Sequence, residues 1–293
     1  MNLSQLRSFL AVIDAGSFAG ASKALGISQP AVSQHVRKLE ESMQVSLVER
    51  GAVCTPTKRA VAFVRHARTL IDMAERARLS LHSEELRVGA SSNVGTYLIQ
   101  PLFARFLEEN EIEGKLVIAS NPEVAEKLYQ GEIDVAAMEW WNECDSDNRR
   151  FQSQVWREEP LVLIVGPGHR LAGHSLMEPE ELKEENLLGG ESGTGTGRVL
   201  SEGFGPIVGS LNVTQTLGST EAVKEGVKAG LGVSLVMQSA VEDDLKAGTL
   251  HQVSVRGVQL QKRLQLITPG NLPESSCGRR FCAFAISGDR RAG

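Results

Sequence analysis

Between Ser28 and Lys38 the chain sets out side chains of the kind that read and grip a nucleic acid. Gln29, Ser33, Gln34 and Arg37 recur at three- and four-residue spacing. One helical face would then carry amide, hydroxyl and guanidinium groups suited to base edges in a major groove, with Pro30 beside them in the first turn. Ser28, Lys38 and, further on, Arg50 and Lys58 offer phosphate contacts, which position a protein without reading sequence. The competing reading is an ordinary solvated face on a small helical bundle.

A second set of residues sits where helices begin after strands. Ser91-Ser92-Asn93 follows the apolar run 86–90, and Asn121 follows the run 115–119. Ser192-Gly193-Thr194 comes soon after Leu187-Leu188-Gly189, and Thr220 opens a helix. In open α/β sheets, ligands gather beyond the carboxyl ends of the strands. Hydroxyls beside free helix amides suit an anion. Each start taken alone is equally a satisfied cap. Four together point to a pocket for a small carboxylate, phosphate or sulfur oxyanion.

Patterns for catalysis fail on inspection. Gly190-Glu191-Ser192-Gly193 approaches a nucleophile elbow, but Thr194 stands where a glycine is needed. The run 193–197 lacks the Lys-Ser/Thr pair of a phosphate-binding loop, and the six histidines show no HExxH spacing. The four cysteines form no CxxC pair. Cys277 and Cys282 are close enough in sequence to pair, yet free thiols are expected on compartment grounds. Neither a metal site nor an enzyme is expected.

Helices must carry the first set. Leu3, Leu6, Phe9, Leu10 and Ile13 share one face, which predicts a helix over 3–14. Gly16 stops it and Ser17 caps a short second helix over 18–25 with small inner residues. Gly26 supplies a tight turn and Ile27 plugs the gap between helices. Ser28 caps a third helix running to about Met43, with Pro30 in its first turn. Two helices joined by a short glycine turn form a helix-turn-helix. Residues 45–57 read as a hairpin or wing. From Lys58 to His82 there is no Gly or Pro. Ala60, Phe63/Val64, Ala67, Leu70/Ile71, Ala74, Ala77 and Leu81 make a heptad-like stripe, read here as a dimerisation helix rather than a plain core-facing one.

From Leu86 the pattern becomes alternating strands and helices, which predicts βαβ units and mainly parallel sheets in two subdomains. Strands are expected at 86–90, 115–119, 135–138, 161–165, 187–189, 233–236 and 264–267, with helices within 93–110, 122–130 and 220–229. The tail 269–293 shows no clear final amphipathic helix.

Charge follows the same division. The 293 residues carry a net charge of −5, but residues 1–88 hold 12 Lys and Arg against 8 Asp and Glu. The remainder holds 19 against 28. A basic head on an acidic body suits a polyanion partner at one end only. No run of 18 apolar residues occurs and the N-terminus has no secretory pattern, so a reduced cytoplasmic protein without a membrane span is expected.

The first 60 residues resemble the winged helix-turn-helix of LysR-type transcriptional regulators. The likeness is carried by Leu6-Arg7-Ser8-Phe9, Gly16-Ser17-Phe18, Ala21-Ser22-Lys23-Ala24-Leu25, Ser28-Gln29-Pro30-Ala31-Val32-Ser33, Leu39-Glu40, Leu47-Val48-Glu49-Arg50 and Thr55-Pro56. It extends more weakly through Gly131-Glu132-Ile133-Asp134-Val135, Glu191-Ser192-Gly193-Thr194 and Gly230-Leu231-Gly232-Val233. Val48 stands where the family usually has Phe. Ala137-Met138-Glu139-Trp140-Trp141 resembles a subgroup that regulates carbon dioxide fixation or sulfur assimilation. Trp140 and Trp141 would wall the pocket or pack at the hinge.

The resemblance implies a DNA-binding domain over 1–58, a linker and dimerisation helix over 59–84, and a regulatory domain over 85–293. That domain would comprise two Rossmann-like α/β subdomains of periplasmic-binding-protein type, about 85–160 with 264–293 and about 161–263. The chain would cross between them near 158–166 and return near 256–264. Promoter DNA, RNA polymerase and a second or further copies of the chain are the implied partners. A small anionic co-inducer would sit between the subdomains, with no other cofactor. The alternative is a small-molecule-binding protein or α/β enzyme without sequence-specific DNA binding.

Overall fold

Small and apolar residues at helical spacing build the N-terminal head. Helices α1 (Leu3–Ala15), α2 (Phe18–Leu25) and α3 (Gln29–Met43) bury Leu6, Phe9, Val12, Ala21, Val32, Val36 and Leu39 together. Each start is capped by the side chain the sequence offers. Asn2 and Gln5 form a capping box, Ser17 accepts from the Gly20 amide and Ser28 from the Ala31 amide. Gly26 ends α2 at φ 65°, a left-handed conformation that glycine adopts without a Cβ penalty. Ser22 Oγ donates to the Ile27 carbonyl at 2.6 Å and closes the turn.

A computed structural model describes residues 1–79, 84–139, 150–189, 199 and 203–289. The chain forms two units, Met1–Glu84 and Glu85–Gly293. None of the described helices is long and apolar enough to cross a membrane.

The wing is a minimal ladder, β1 (Val48–Glu49) against β2 (Thr55–Pro56). It is tied to α3 by Glu40, whose Oε1 accepts the amides of Leu47 at 2.7 Å and Val48 at 3.2 Å. Helix α4 (Val61–Leu79) follows. Its stripe divides in two. Ala60 and Ala67 are buried, and Phe63, Val64 and Ile71 pack on the head's own core, with the Phe63 and Phe9 rings 5.7 Å apart. Arg68 pairs with Asp14 and Arg7 with Glu75, which pins α4 along α1. Leu70 and Met73 remain exposed. Part of the pattern assigned to a partner chain is therefore consumed within the chain. Leu81 and His82 lie outside the described residues.

In the second unit, β3 (Glu85–Ser91), β4 (Glu113–Ala119) and β5 (Val135–Met138) are parallel neighbours. Between the first two runs one continuous helix: α5 (Ser92–Val94), a π-turn (Gly95–Ile99) and α6 (Gln100–Asn110). Gly95 is required in that turn, because a Cβ there would stand 2.7 Å from Ile118. Helix α7 (Asn121–Tyr129) connects β4 to β5. Asp134, from the Gly-Glu-Ile-Asp stretch, accepts the Arg87 amide at 3.1 Å and Arg87 Nη2 at 2.7 Å, joining the entry of β5 to β3.

The expectation of mainly parallel sheets is corrected by two long strands. β6 (Phe151–Val165) and β12 (Leu260–Pro269) pair antiparallel from Leu260↔Leu161 to Pro269↔Phe151. β12 also pairs antiparallel with β5, and β6 with both β10 (Ser234–Met237) and β11 (His251–Val255). One mixed sheet results, in the order β4-β3-β5-β12-β6-β11-β7, where β7 is Leu176–Met177 and β10 branches from β6. A separate parallel pair, β8 (Asn186–Gly189) and β9 (Asn212–Thr216), is bridged to Val233. Helices α8 (Thr220–Lys228) and α9 (Glu242–Ala247) complete this side.

Three features escape the periodicity reading. β6 begins ten residues earlier than expected, because Arg157, Glu158, Glu159 and Pro160 do not look like a strand interior. β7, β9, β11 and α9 are short. The tail, read as ragged, is helix α10 (Cys277–Asp289). Gly278 and Gly288 weaken its intrinsic preference, and burial decides instead. Phe281 is fully buried, edge-on to Phe106 at 5.3 Å and Phe103 at 6.3 Å. Cys277 and Cys282 lie on this helix with no disulfide between them, and burial pushes the Cys282 thiol up to about 12. Phe281→Ala should destabilise the second unit by about 3–5 kcal/mol. A urea titration followed by tryptophan fluorescence would show it, and a midpoint unchanged from wild type would refute this packing role.

Candidate functional site

The head divides α3 cleanly. Val32, Val36 and Leu39 face the core, whereas Gln29, Pro30, Gln34, Arg37 and Lys38 are exposed and Ser33 is half-buried. The groups expected to read bases thus share one outward face. Arg37 Nε pairs with Glu41 at 3.0 Å along the same helix face. Ser28 is exposed at the start of the helix, where its hydroxyl already caps the Ala31 amide. Arg50 lies over the Phe18 ring at 5.2 Å, so the wing's cation is held beside α2 rather than extended. Lys58 is exposed. His35, on the inward side, meets the buried Ser8 Oγ through Nδ1 at 2.8 Å.

In the second unit the strand ends gather most of the expected pocket. Ser91 ends β3 opposite Ala119 of β4, and Ser92 Oγ donates to the Ala119 carbonyl at 3.4 Å. Asn121 is the first residue of α7 and is buried. Asn93 and Thr220, far apart in sequence, touch: Thr220 Oγ1 donates to Asn93 Oδ1 at 2.7 Å. At two of these starts the cap position falls one residue before the one the sequence marked, at Ser120 and Ser219. Ser120 and Glu123 form a capping box, and Ser219 accepts from the Ala222 amide. Ser91 behaves differently. Its hydroxyl makes no cap and, though the residue is only 3% exposed, its Oγ has no partner among the described residues. Among the described residues, no side chain therefore caps the first amides of this helix. Ser192, Gly193, Thr194, Trp140 and Trp141 lie outside the described residues.

Glu139, Lys262, Tyr97 and Glu221 are the residues that the sequence did not mark as a site. Asn93 Nδ2 donates to Glu139 Oε1 at 3.2 Å, and Lys262 Nζ donates to Glu139 Oε2 at 2.9 Å. Both charged residues are buried. Tyr97 Oη donates to Glu221 at 2.7 Å, and burial together with that carboxylate raises the phenol above its usual value. Lys224 bonds Glu221 at 3.1 Å and Asp244 at 2.9 Å, and Lys228 bonds Asp244 at 2.6 Å. Glu139 appeared in the sequence only as a subgroup likeness. Lys262 sits in a Gln-Lys-Arg run that reads as surface. Among the described residues, no group of three His, Cys, Asp or Glu could hold a metal.

The profile of the bacterial regulatory helix-turn-helix protein, lysR family, matches residues 3–60, and that of the LysR substrate binding domain matches residues 80–289. The chain belongs to the LysR family. It is a DNA-binding transcriptional regulator with an effector-binding domain and not an enzyme, which sets aside the α/β-enzyme alternative. The HTH-type transcriptional regulator PtxE of Stutzerimonas stutzeri is 48% identical over 196 residues, 65% of this chain and 97% of that protein. The regulator CbbR of Sinorhizobium medicae is 30% identical, with 99% of this chain and 94% of that one covered. The full-length CbnR complexed with its target DNA shares the fold at a TM-score of 0.68 with 21% identity, covering all of both chains.

Within this LysR-family domain the Asp244 network has a pH signature. Burial alone would raise the Asp244 carboxyl, but hydrogen bonds from Lys228, Lys224 and Thr249 outweigh it and hold the group at about 2, below its ordinary value of 3.8. A depressed folded value means the stabilisation is complete above the ordinary value and is lost as pH falls towards the folded one. Asp244→Asn should lower stability at neutral pH and flatten the loss between about pH 4 and 2. Urea midpoints measured against pH would show it, and an acid limb identical to wild type would count against the network.

Proposed function

We propose that this regulator binds promoter DNA as a homodimer or homotetramer, reading bases with Gln29, Pro30, Ser33, Gln34 and Arg37. Ser28, Lys38, Arg50 and Lys58 hold phosphates. The observation that carries this reading is the clean division of α3 into a core face and an outward polar face. A recognition helix that enters the major groove by its N-terminal half needs that division. Leu70 and Met73, exposed on α4, are apolar side chains that a second copy would cover. Two heads held by a two-fold axis meet two half-sites. RNA polymerase is a further partner, and the cytoplasm is the compartment in which the protein meets both.

The effector is a small anion received by Ser91, Ser92, Asn93, Asn121, Ser192, Gly193, Thr194 and Thr220, with no other cofactor. The uncapped helix start at Ser91 supports it, since orphan amides and the helix dipole favour negative charge. Thr220 and Asn93 come from opposite sides of the crossing strands. A ligand that competes for their bond biases how the two sides close, which is the differential contact that coupling to DNA requires.

A mobility shift on DNA upstream of the gene tests the first part. Arg37→Ala should weaken binding to the cognate fragment by about 1–3 kcal/mol, and weaken it far less on random DNA. An equal loss on both would remove Arg37 from the base readers. For the second part, Ser92→Ala should keep operator binding and abolish induction of a reporter driven by that promoter. An undiminished response would empty the pocket assignment.

A further inference from the structure

Glu139 is an acceptor placed where an anion is expected. The register puts Ala137 of β5 opposite Ala90 of β3, so Glu139 lies one strand over from Ser91 at the same end of the sheet. Its carboxylate takes one bond from Asn93 and one from Lys262. Asn93 in turn takes the Thr220 hydroxyl. Four residues from four separate stretches thus form a single chain, Thr220 to Asn93 to Glu139 to Lys262, and its buried end is charge-neutral. The cation is therefore already matched by a carboxylate the protein supplies, and a ligand gains no free ammonium there.

The neighbouring groups differ in kind. The amides at the start of the helix from Ser92 only donate. Glu139 only accepts, and each of its oxygens keeps a second lone pair beyond the bonds described. Asn121 Oδ1, in a buried residue, also has no partner among the described residues. An oxyanion seated on the amides would have these acceptors as neighbours, since all lie at the same end of the sheet. An anion with acceptor oxygens alone meets unpaired lone pairs there, while one bearing an O–H satisfies them. A site built around a buried acceptor rejects the analogue that lacks the matching proton, because the buried group is left unpaired.

Resting on the anion reading above, we propose that Glu139 is a specificity-determining residue that admits oxyanions still carrying a hydrogen-bond donor and turns away those that only accept. The pair with Lys262 fits a role in selection better than one in stability. A buried ion pair is weak evidence for stabilisation, whereas loss of one partner is costly.

Isothermal titration of the full chain at pH 7 with sodium phosphate and sodium sulfate, at matched ionic strength, tests this. Phosphate keeps an O–H at that pH and sulfate does not. Wild type should bind phosphate at least about tenfold more tightly than sulfate. E139Q, which can donate from its amide, should bring the two within about threefold by gaining sulfate affinity. E139Q/K262M removes both charges together and leaves no orphan ammonium. It should lose the preference in the same way, which covers the case in which E139Q does not fold. Equal affinities in wild type, or a preference that survives in both variants, would overturn the assignment to Glu139 while leaving the anion site. Binding of neither anion at millimolar concentration would overturn a phosphate- or sulfate-type site there, and the assignment to Glu139 with it.

Discussion

The antiparallel ladder between β6 and β12 is the constraint on which the regulatory domain depends. It runs the whole length of β12 and is the path by which the chain passes from one side to the other and returns. On its inner face it places Glu159 and Lys262 opposite one another, both buried, with Glu159 Oε1 accepting the Ser239 amide. Because β12 also pairs with β5 and β6 with β10, the parallel strands on one side and the branch on the other are continuous with the crossing pair.

The polar chain through Asn93 lies across that crossing and gives the site its chemistry. Thr220 and Asn93 join stretches 127 residues apart at 2.7 Å, and Tyr97 with Glu221 adds a second link between the same two helices. Both links run from the helix that holds the π-turn, a local irregularity that recurs at functional sites. The buried pair at the inner end removes net charge, so selection falls on hydrogen-bond complementarity rather than on attraction alone.

The head works by a different economy. Its core is one layer of aliphatic and small side chains plus Phe9, and everything outside that layer is left to the solvent face of α3 and to the wing. Glu40 shows how close the two roles lie: it follows Leu39 of the core and holds the first amides of the wing. The inner half of α4 extends this core, which leaves only part of its apolar stripe for another chain.

Local sequence determined what local physics decides. The caps at Ser17 and Ser28, the left-handed glycine at Gly26, the three head helices and the strands β3, β4 and β5 follow from spacing and residue type, because each is fixed within a few residues. So does the outward set on α3, since a 3.6-residue period fixes which side chains share a face. Tertiary structure decided the rest. Arg157, Glu158 and Pro160 argue against a strand, yet they lie in the ladder because β12 supplies a partner about a hundred residues away. Gly278 and Gly288 argue against a helix, yet Phe281 finds Phe103 and Phe106. Glu139 and Lys262 look like two unrelated charges until the fold sets them 2.9 Å apart. Burial of a charge is a property of the neighbours that surround it, and those neighbours come from distant parts of the chain.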